Sequence, residues 1–213
     1  MNPTVGVLAL QGAFGAHSTM LRDLGVSTVE VRTIEQLASV DALVLPGGES
    51  TTMSKMLVAS GLFDPLNDRL RAGMPAFGTC AGMILLARDV LDGRADQRSF
   101  GVLPIAVRRN GYGRQIESFE GALDIAALGT DPFPLVFIRA PRVESVDAGV
   151  DILATFDGHP ALIRSGPLLA AVFHPELTTD PRLHQYFSYP HRKAVINVRT
   201  LEMGNDKTQE GGG

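Results

Sequence analysis

The chain contains a single cysteine, Cys80, and it lies within Gly78-Thr79-Cys80-Ala81-Gly82. A Gly-x-nucleophile-x-Gly run between a strand pattern and a helix pattern is the sharp turn on which α/β enzymes present a nucleophile. Here sulfur stands where a serine hydroxyl would be. The spacing has a steric reason: a sharply turned backbone brings its neighbours into contact, and glycine two residues to either side removes the side chains that would collide. The helix that follows should aim its free amides and positive dipole end at the sulfur, which favours thiolate, the reactive form. The Ala81 amide can donate to an oxyanion developing on a substrate carbonyl. A thiol nucleophile needs a base, and the base needs an orienter.

Five histidines are available: His17, His159, His174, His184 and His191. His174 follows the apolar run Leu168-Leu169-Ala170-Ala171-Val172-Phe173, which puts it at a strand's end, and Glu176 comes two residues later. In an extended chain, residues i and i+2 face the same side about 6–7 Å apart. Pro175 biases His174 towards extended backbone and opposes helix there. One short segment should therefore present an imidazole and a carboxylate together, completing a Cys80-His174-Glu176 triad. The competing readings are a buried, inert cysteine and an exposed His-Pro-Glu turn. Of the other histidines, His17 falls on an apolar helical stripe and should simply pack there. His159 sits in the turn Asp157-Gly158-His159-Pro160, and His184 and His191 lie near an expected frayed end.

A further candidate is Leu45-Pro46-Gly47-Gly48-Glu49-Ser50-Thr51-Thr52. Two glycines after a strand let backbone amides approach a ligand closely, and the next helix opens with free amides of its own. Ser50, with Thr51 and Thr52, offers capping hydroxyls. A phosphate loop is disfavoured, because neither the Walker pattern nor a GxGxxG run is present.

The elements that would hold these residues alternate through the first half. Val5 to Leu10, Thr28 to Arg32, Asp41 to Leu45 and Pro75 to Gly78 read as strands. Helical stripes lie at Ala13, His17, Met20, Leu21 and Leu24, from Ser50 onwards, at Leu62, Phe63, Leu66 and Leu70, and after Cys80 through Leu86. Such alternation argues for a parallel sheet covered on both faces. In the second half, Val102 to Arg108, Ser118 to Leu123, Leu135 to Ile138, Asp151 to Phe156, Ala161 to Arg164 and Leu168 to Phe173 are strand-like and closely spaced, so antiparallel or mixed pairing is expected there. The expected organisation is one α/β domain over residues 1–187 and a polar, poorly ordered tail over 188–213.

Composition narrows the partners. With 213 residues, 45% of them hydrophobic and 20% charged, the chain is globular rather than disordered. A net charge of -4 gives no broad basic face, so no nucleic acid is expected. One cysteine allows neither an intrachain disulfide nor a cysteine-based zinc site, and no metal is expected. No basic signal region precedes the first strand, and the apolar runs fall far short of the roughly 18 residues of a membrane helix. A cytoplasmic protein that does not enter membranes is expected.

Taken together, the segments resemble the class I glutamine amidotransferases, whose signature is a cysteine elbow followed much later by a His-x-Glu pair. Within them, the chain is most similar to the family of glutaminase subunits of pyridoxal 5′-phosphate synthases. The resemblance is carried by Gly6-Val7-Leu8-Ala9-Leu10-Gln11-Gly12-Ala13, Leu45 to Thr52, Phe77 to Gly82, Arg109-Asn110 with Gly113-Arg114-Gln115, Phe137-Ile138-Arg139-Ala140-Pro141 and Phe173 to Thr178. It covers Thr4 to Phe187, after which the family's closing helix has no clear counterpart. It implies a flavodoxin-like, three-layer domain with a largely parallel sheet and mixed additions. It also implies hydrolysis of L-glutamine and delivery of ammonia to a separate synthase subunit, with no cofactor for this half-reaction. By resemblance, Cys80 is the nucleophile, His174 the base and Glu176 its orienter. Gly48, Glu49, Ser50, Arg109, Ile138 and Arg139 hold the substrate, and the Gly47-Gly48 peptide and the Ala81 amide form the oxyanion hole. The alternatives are a glutaminase subunit of another pathway, such as imidazole glycerol phosphate synthesis, and a non-enzymatic subunit with a relict triad.

Overall fold

The computed structural model describes residues 3–109, 111 and 118–189, with only the backbone at 118 and 119. Asn110, Gly113, Arg114, Gln115, His191 and the expected tail from 190 onwards lie outside the described residues.

The first half builds strands β1 (Val5–Leu8), β2 (Thr28–Val31), β3 (Ala42–Leu45) and β4 (Ala76–Thr79). Between and after them come helices α1 (Phe14–Asp23), α2 (Ile34–Ala38), α3 (Ser50–Ala59), α4 (Phe63–Arg71) and α5 (Ala81–Leu86). The second half supplies β5 (Ala87–Val90), β6 (Leu103–Arg108), β7 (Ser118–Leu123), β8 (Phe133–Ile138), β9 (Arg142–Val146), β10 (Asp151–Phe156), β11 (His159–Ser165), β12 (Leu168–Ala171) and helix α6 (Arg182–Ser188).

The main sheet has seven strands in the order β10-β11-β12-β4-β3-β1-β2. β2, β1, β3, β4 and β12 run parallel, and β11 and β10 add antiparallel strands at one edge. The parallel part has the flavodoxin-like order, in which the fifth strand of the doubly wound set is β12. Every residue of β1, β3, β4 and β12 is buried, which is why these strands read as continuous apolar runs. Crossovers in opposite directions put α1 and α6 on one face and α3, α4 and α5 on the other. The expected three-layer α/β fold is thus observed, with the mixed additions as a β5-β6-β9 sheet and a β7-β8 hairpin.

Several local expectations are corrected. β1 stops at Leu8 and β12 at Ala171, because the chain turns there into the loops that carry Gln11 and His174. Four elements escaped the sequence reading: α2, β5, β9 and α6. α2 is only five residues long and buries only Leu37, too little for a helical stripe to show. Its start is instead set by a capping box, with Thr33 Oγ1 accepting from Gln36 N and Gln36 Oε1 accepting from Thr33 N. α3 is capped not by hydroxyls but by the Glu49 carboxylate. The segment around His184 is not frayed: α6 runs through Ser188, one residue past the expected domain boundary, and buries Leu183, His184, Phe187 and Ser188. Two polar residues on its inner face hid the amphipathic pattern.

Replacing Thr33 by Ala should remove the cap of α2 at a cost of about 1 kcal/mol. Scanning calorimetry should show the melting temperature fall by roughly 2–4 °C.

Candidate active site

Four parallel strands end on the same edge of the sheet, and the loops after them carry the candidate residues: Gln11 after β1, Gly47 and Gly48 after β3, Cys80 after β4, and His174 after β12. Cys80 adopts φ 48 and ψ -105, a backbone conformation closed to ordinary L residues and costing on the order of 1–3 kcal/mol. It is held there from both sides. Its N–H donates to Ala171 O of β12 at 2.9 Å, and its carbonyl accepts from Ile84 N at 3.3 Å as α5 begins. A Cβ on Gly82 would run into the backbone of Leu45, and one on Gly78 would lie 2.7 Å from the Gly82 carbonyl carbon. Both flanking glycines are therefore required by close approach. The sulfur lies 3.9 Å from the Ile138 carbonyl oxygen at the end of β8.

His174 and Glu176 are brought together as expected, with Nδ1 and Oε1 2.8 Å apart and both residues buried. The backbone route differs from expectation. Pro175 to Leu177 form a 3-10 turn with His174 as its N-cap (φ -108, ψ 82), so the segment is not extended. Proline at the first helical position has no amide to waste and an already suitable φ. It starts the turn rather than blocking it. His174 N donates to Val136 O of β8 at 2.8 Å, which ties the turn to the β7-β8 hairpin. His174 Nε2 is buried with no conventional hydrogen-bond partner. Burial alone would push this imidazole's pKa down. The Cys80 sulfur and the Glu176 carboxylate outweigh it and raise the pKa to about 10.

Gly47 sits against this group, since a Cβ there would strike the imidazole of His174 and lie 3.4 Å from Cys80 Cβ. Its carbonyl accepts from Ala13 N at 3.3 Å and faces Gly12, so the Gly48 N–H of the same trans peptide points away from the β1-α1 loop. Ala81 N, at the first position of α5, has no partner within the helix.

A second cluster lies at the start of α3. The Glu49 carboxylate accepts from Thr51 N, Thr52 N and Thr52 Oγ1 at 3.1, 2.7 and 2.7 Å. Partial burial opposes its charge, but these bonds win and hold its pKa down at about 2. Glu49 N donates to Gln11 Oε1 at 3.1 Å. Arg109 donates to Thr51 Oγ1 and Gln97 Oε1 at 3.0 and 2.9 Å, and its guanidinium lies 3.8 Å from Glu49 Oε1. Ser50 Oγ accepts from Gln97 Nε2 at 3.2 Å. Glu49, Ser50 and Arg109 therefore converge, with Gln97 as an unforeseen hub. Arg139 is exposed, in a left-handed conformation (φ 44) directly after Ile138.

Sequence reasoning also missed a buried polar group behind the triad. His17 is not merely packed: its Nδ1 lies 2.7 Å from His184 Nε2, and its Nε2 lies 3.2 Å from Thr79 Oγ1 and 3.3 Å from Glu176 Oε2. Burial, with His184 and His174 nearby, pushes the His17 pKa well below the usual histidine value, and burial lowers that of His184 to about 4. Among the described residues, no cluster of three or more His, Cys, Asp or Glu could hold a metal ion, and no helix is long and apolar enough to cross a membrane.

A strained cysteine at a strand-helix elbow, backed by a buried imidazole-carboxylate pair, is the arrangement of the α/β enzymes that present a cysteine nucleophile. Comparison with known proteins narrows it: the chain belongs to the SNO glutamine amidotransferase family, whose model matches residues 7–191. It is 53% identical over 186 residues to the pyridoxal 5′-phosphate synthase subunit PdxT of Herpetosiphon aurantiacus, covering 86% of this chain and 98% of that one. It is 53% identical over 188 residues to PdxT of Mycobacteroides abscessus, covering 88% and 96%. A crystal structure described as a glutamine amidotransferase superposes with a TM-score of 0.80 at 48% identity, over 86% of this chain and 96% of the other. PurLQS from Thermotoga maritima, with a TM-score of 0.64 at 14% identity over 90% of this chain and 100% of that chain, shares the fold.

Because His184 is neutral when folded and titrates near 6.5 when unfolded, the unfolded state binds more protons between these values. Stability should fall as pH drops from about 6.5 to 4, by on the order of 3 kcal/mol from this residue. Thermal melts across that range should show a shallower decline for His184→Gln than for wild type.

Proposed function

We propose that this chain releases ammonia from L-glutamine and supplies it to a pyridoxal 5′-phosphate synthase subunit. The observation that carries this reading is the buried His174-Glu176 pair beside strained Cys80, in a chain more than half identical to PdxT proteins. In the proposed mechanism the Cys80 thiolate attacks the side-chain amide carbon of glutamine. The Gly48 and Ala81 amides receive the oxyanion. As the C–N bond breaks, His174 gives its proton to the departing amine, leaving a glutamyl thioester. His174 then takes a proton from water, which attacks the thioester carbon, and glutamate leaves as the C–S bond breaks. Glu176 keeps the imidazole oriented and its charge favourable.

Arg109 or Arg139 would meet the substrate's α-carboxylate, for which a guanidinium is a matched donor. Glu49, Ser50 and the Ile138 carbonyl offer acceptors for its ammonium. Neither a metal nor an organic cofactor enters these steps, and a reducing compartment such as the cytoplasm suits a free thiol nucleophile. The Gly47-Gly48 peptide can reorient at small steric cost: here the Gly47 carbonyl is held by Ala13 N and the Gly48 amide faces the other way, and the reverse orientation would put a carbonyl where that amide lies. That gives a docked synthase a means of switching turnover on. A glutaminase subunit of another pathway would use the same chemistry, and only the partner that it activates with separates the two readings.

Glutamate release should be slow for the chain alone and faster with a pyridoxal 5′-phosphate synthase subunit. Equal rates with and without that subunit would refute the partner dependence. Cys80→Ala should abolish the stimulated release. Glu176→Gln should lower kcat by on the order of 10²–10⁴-fold and move the titration of His174 to lower pH by histidine NMR.

A further inference from the structure

We propose that His17 is a positioning residue for Glu176, with His184 behind it fixing its tautomer, so that the triad extends through two further histidines. This rests on the glutaminase reading above and concerns what holds its carboxylate.

The Glu176 side chain is fully buried, and only one of its oxygens is engaged by His174. The other, Oε2, has no hydrogen bond of its own, and His17 Nε2 lies 3.3 Å from it. A carboxylate can only accept. A bare ring nitrogen facing it would set lone pair against negative charge, so Nε2 must carry the hydrogen. His17 Nδ1 is then an acceptor, and His184 Nε2, 2.7 Å away, must be its donor. The two contacts thus assign both tautomers. The His17 Nε2–H is directed more closely at Thr79 Oγ1, 3.2 Å away, with Glu176 Oε2 only slightly farther, at 3.3 Å from the same nitrogen.

The four groups come from four elements: His17 from α1, Thr79 from β4, Glu176 from the 3-10 turn and His184 from α6. Helices α1 and α6 therefore clamp the carboxylate from behind. Both histidines are neutral near pH 7. A neutral donor stabilises a buried carboxylate without cancelling its charge, whereas a lysine or arginine there would compete with His174 for it. An orienter of the catalytic base has to be held in this way.

The test uses the chain mixed with its synthase subunit. His17→Phe should lower kcat roughly 10- to 100-fold, as for a misplaced supporting group, with KM nearly unchanged. His17→Gln, which carries an N–H at the reach of Nε2, should restore most of kcat. His17→Asn, which reaches only towards His184, should not. Wild-type kcat in folded His17→Phe, or equal activity in the Gln and Asn variants, would overturn the proposal. If His17→Phe does not fold, the Gln–Asn pair decides. A readout without turnover separates this from failure of the glutaminase reading: ¹⁵N-histidine NMR of the wild-type chain should show His17 protonated at Nε2 and bare at Nδ1. The opposite tautomer sinks the inference, whether or not glutamine is hydrolysed.

Discussion

Everything at the site depends on the backbone of one residue being held where it would not otherwise stay. Cys80 at φ 48 relaxes unless its N–H is claimed by β12 and its carbonyl by α5. Both claims require β4 to run between β3 and β12, with no side chain at 78 or 82. The buried parallel strands are therefore more than a stable core. They over-determine a conformation that a looser scaffold would lose, which is how strain survives at functional sites. The same pairing carries β12 to its end beside β4, and so delivers His174 to the sulfur.

The second constraint is electrostatic. A buried imidazolium and a buried carboxylate are each costly alone, and they are tolerable only as partners. His174 is held protonated by Cys80 and Glu176 against its burial, while His17 and His184 are held neutral by theirs. Within one small region, histidines thus differ in protonation because their neighbours differ. That separation of roles is what acid-base chemistry at neutral pH needs.

How legible this was in the sequence follows from range. The elbow is local: two glycines, a cysteine and a change of periodicity within five residues announce it. The His174-Glu176 pair is also local, although its backbone is a 3-10 turn rather than the extended segment that alternation implied. The sequence pointed to extended backbone, whereas the turn that Pro175 starts brings the same two side chains together from an N-cap residue and the turn itself. His17 and His184 were misjudged because their contact spans 167 residues and joins helices from opposite ends of the chain. Hydropathy patterning records that a histidine lies on an inward stripe, not what it meets there. Gln97 was invisible for the same reason, as a polar residue in a loop with no periodic context. Glu49 was seen, but its carboxylate caps α3 as well as facing Arg109.

The division of the chain into an alternating half and a strand-rich half has a functional counterpart. The parallel half supplies the nucleophile and the glycine loop, and its geometry follows from the fold alone. The groups that surround them come from the additions: the β7-β8 hairpin ends at the Ile138 carbonyl beside the sulfur and anchors His174 N through Val136 O, and β6 leads to Arg109. A doubly wound sheet leaves its carboxyl edge open, and substrates bind in the crevice there. Strands appended beside that edge add groups around the elbow without altering the parallel pairing of the core. This is why the fold is shared with proteins only 14% identical, whereas identity above 50% accompanies relatives that carry one name.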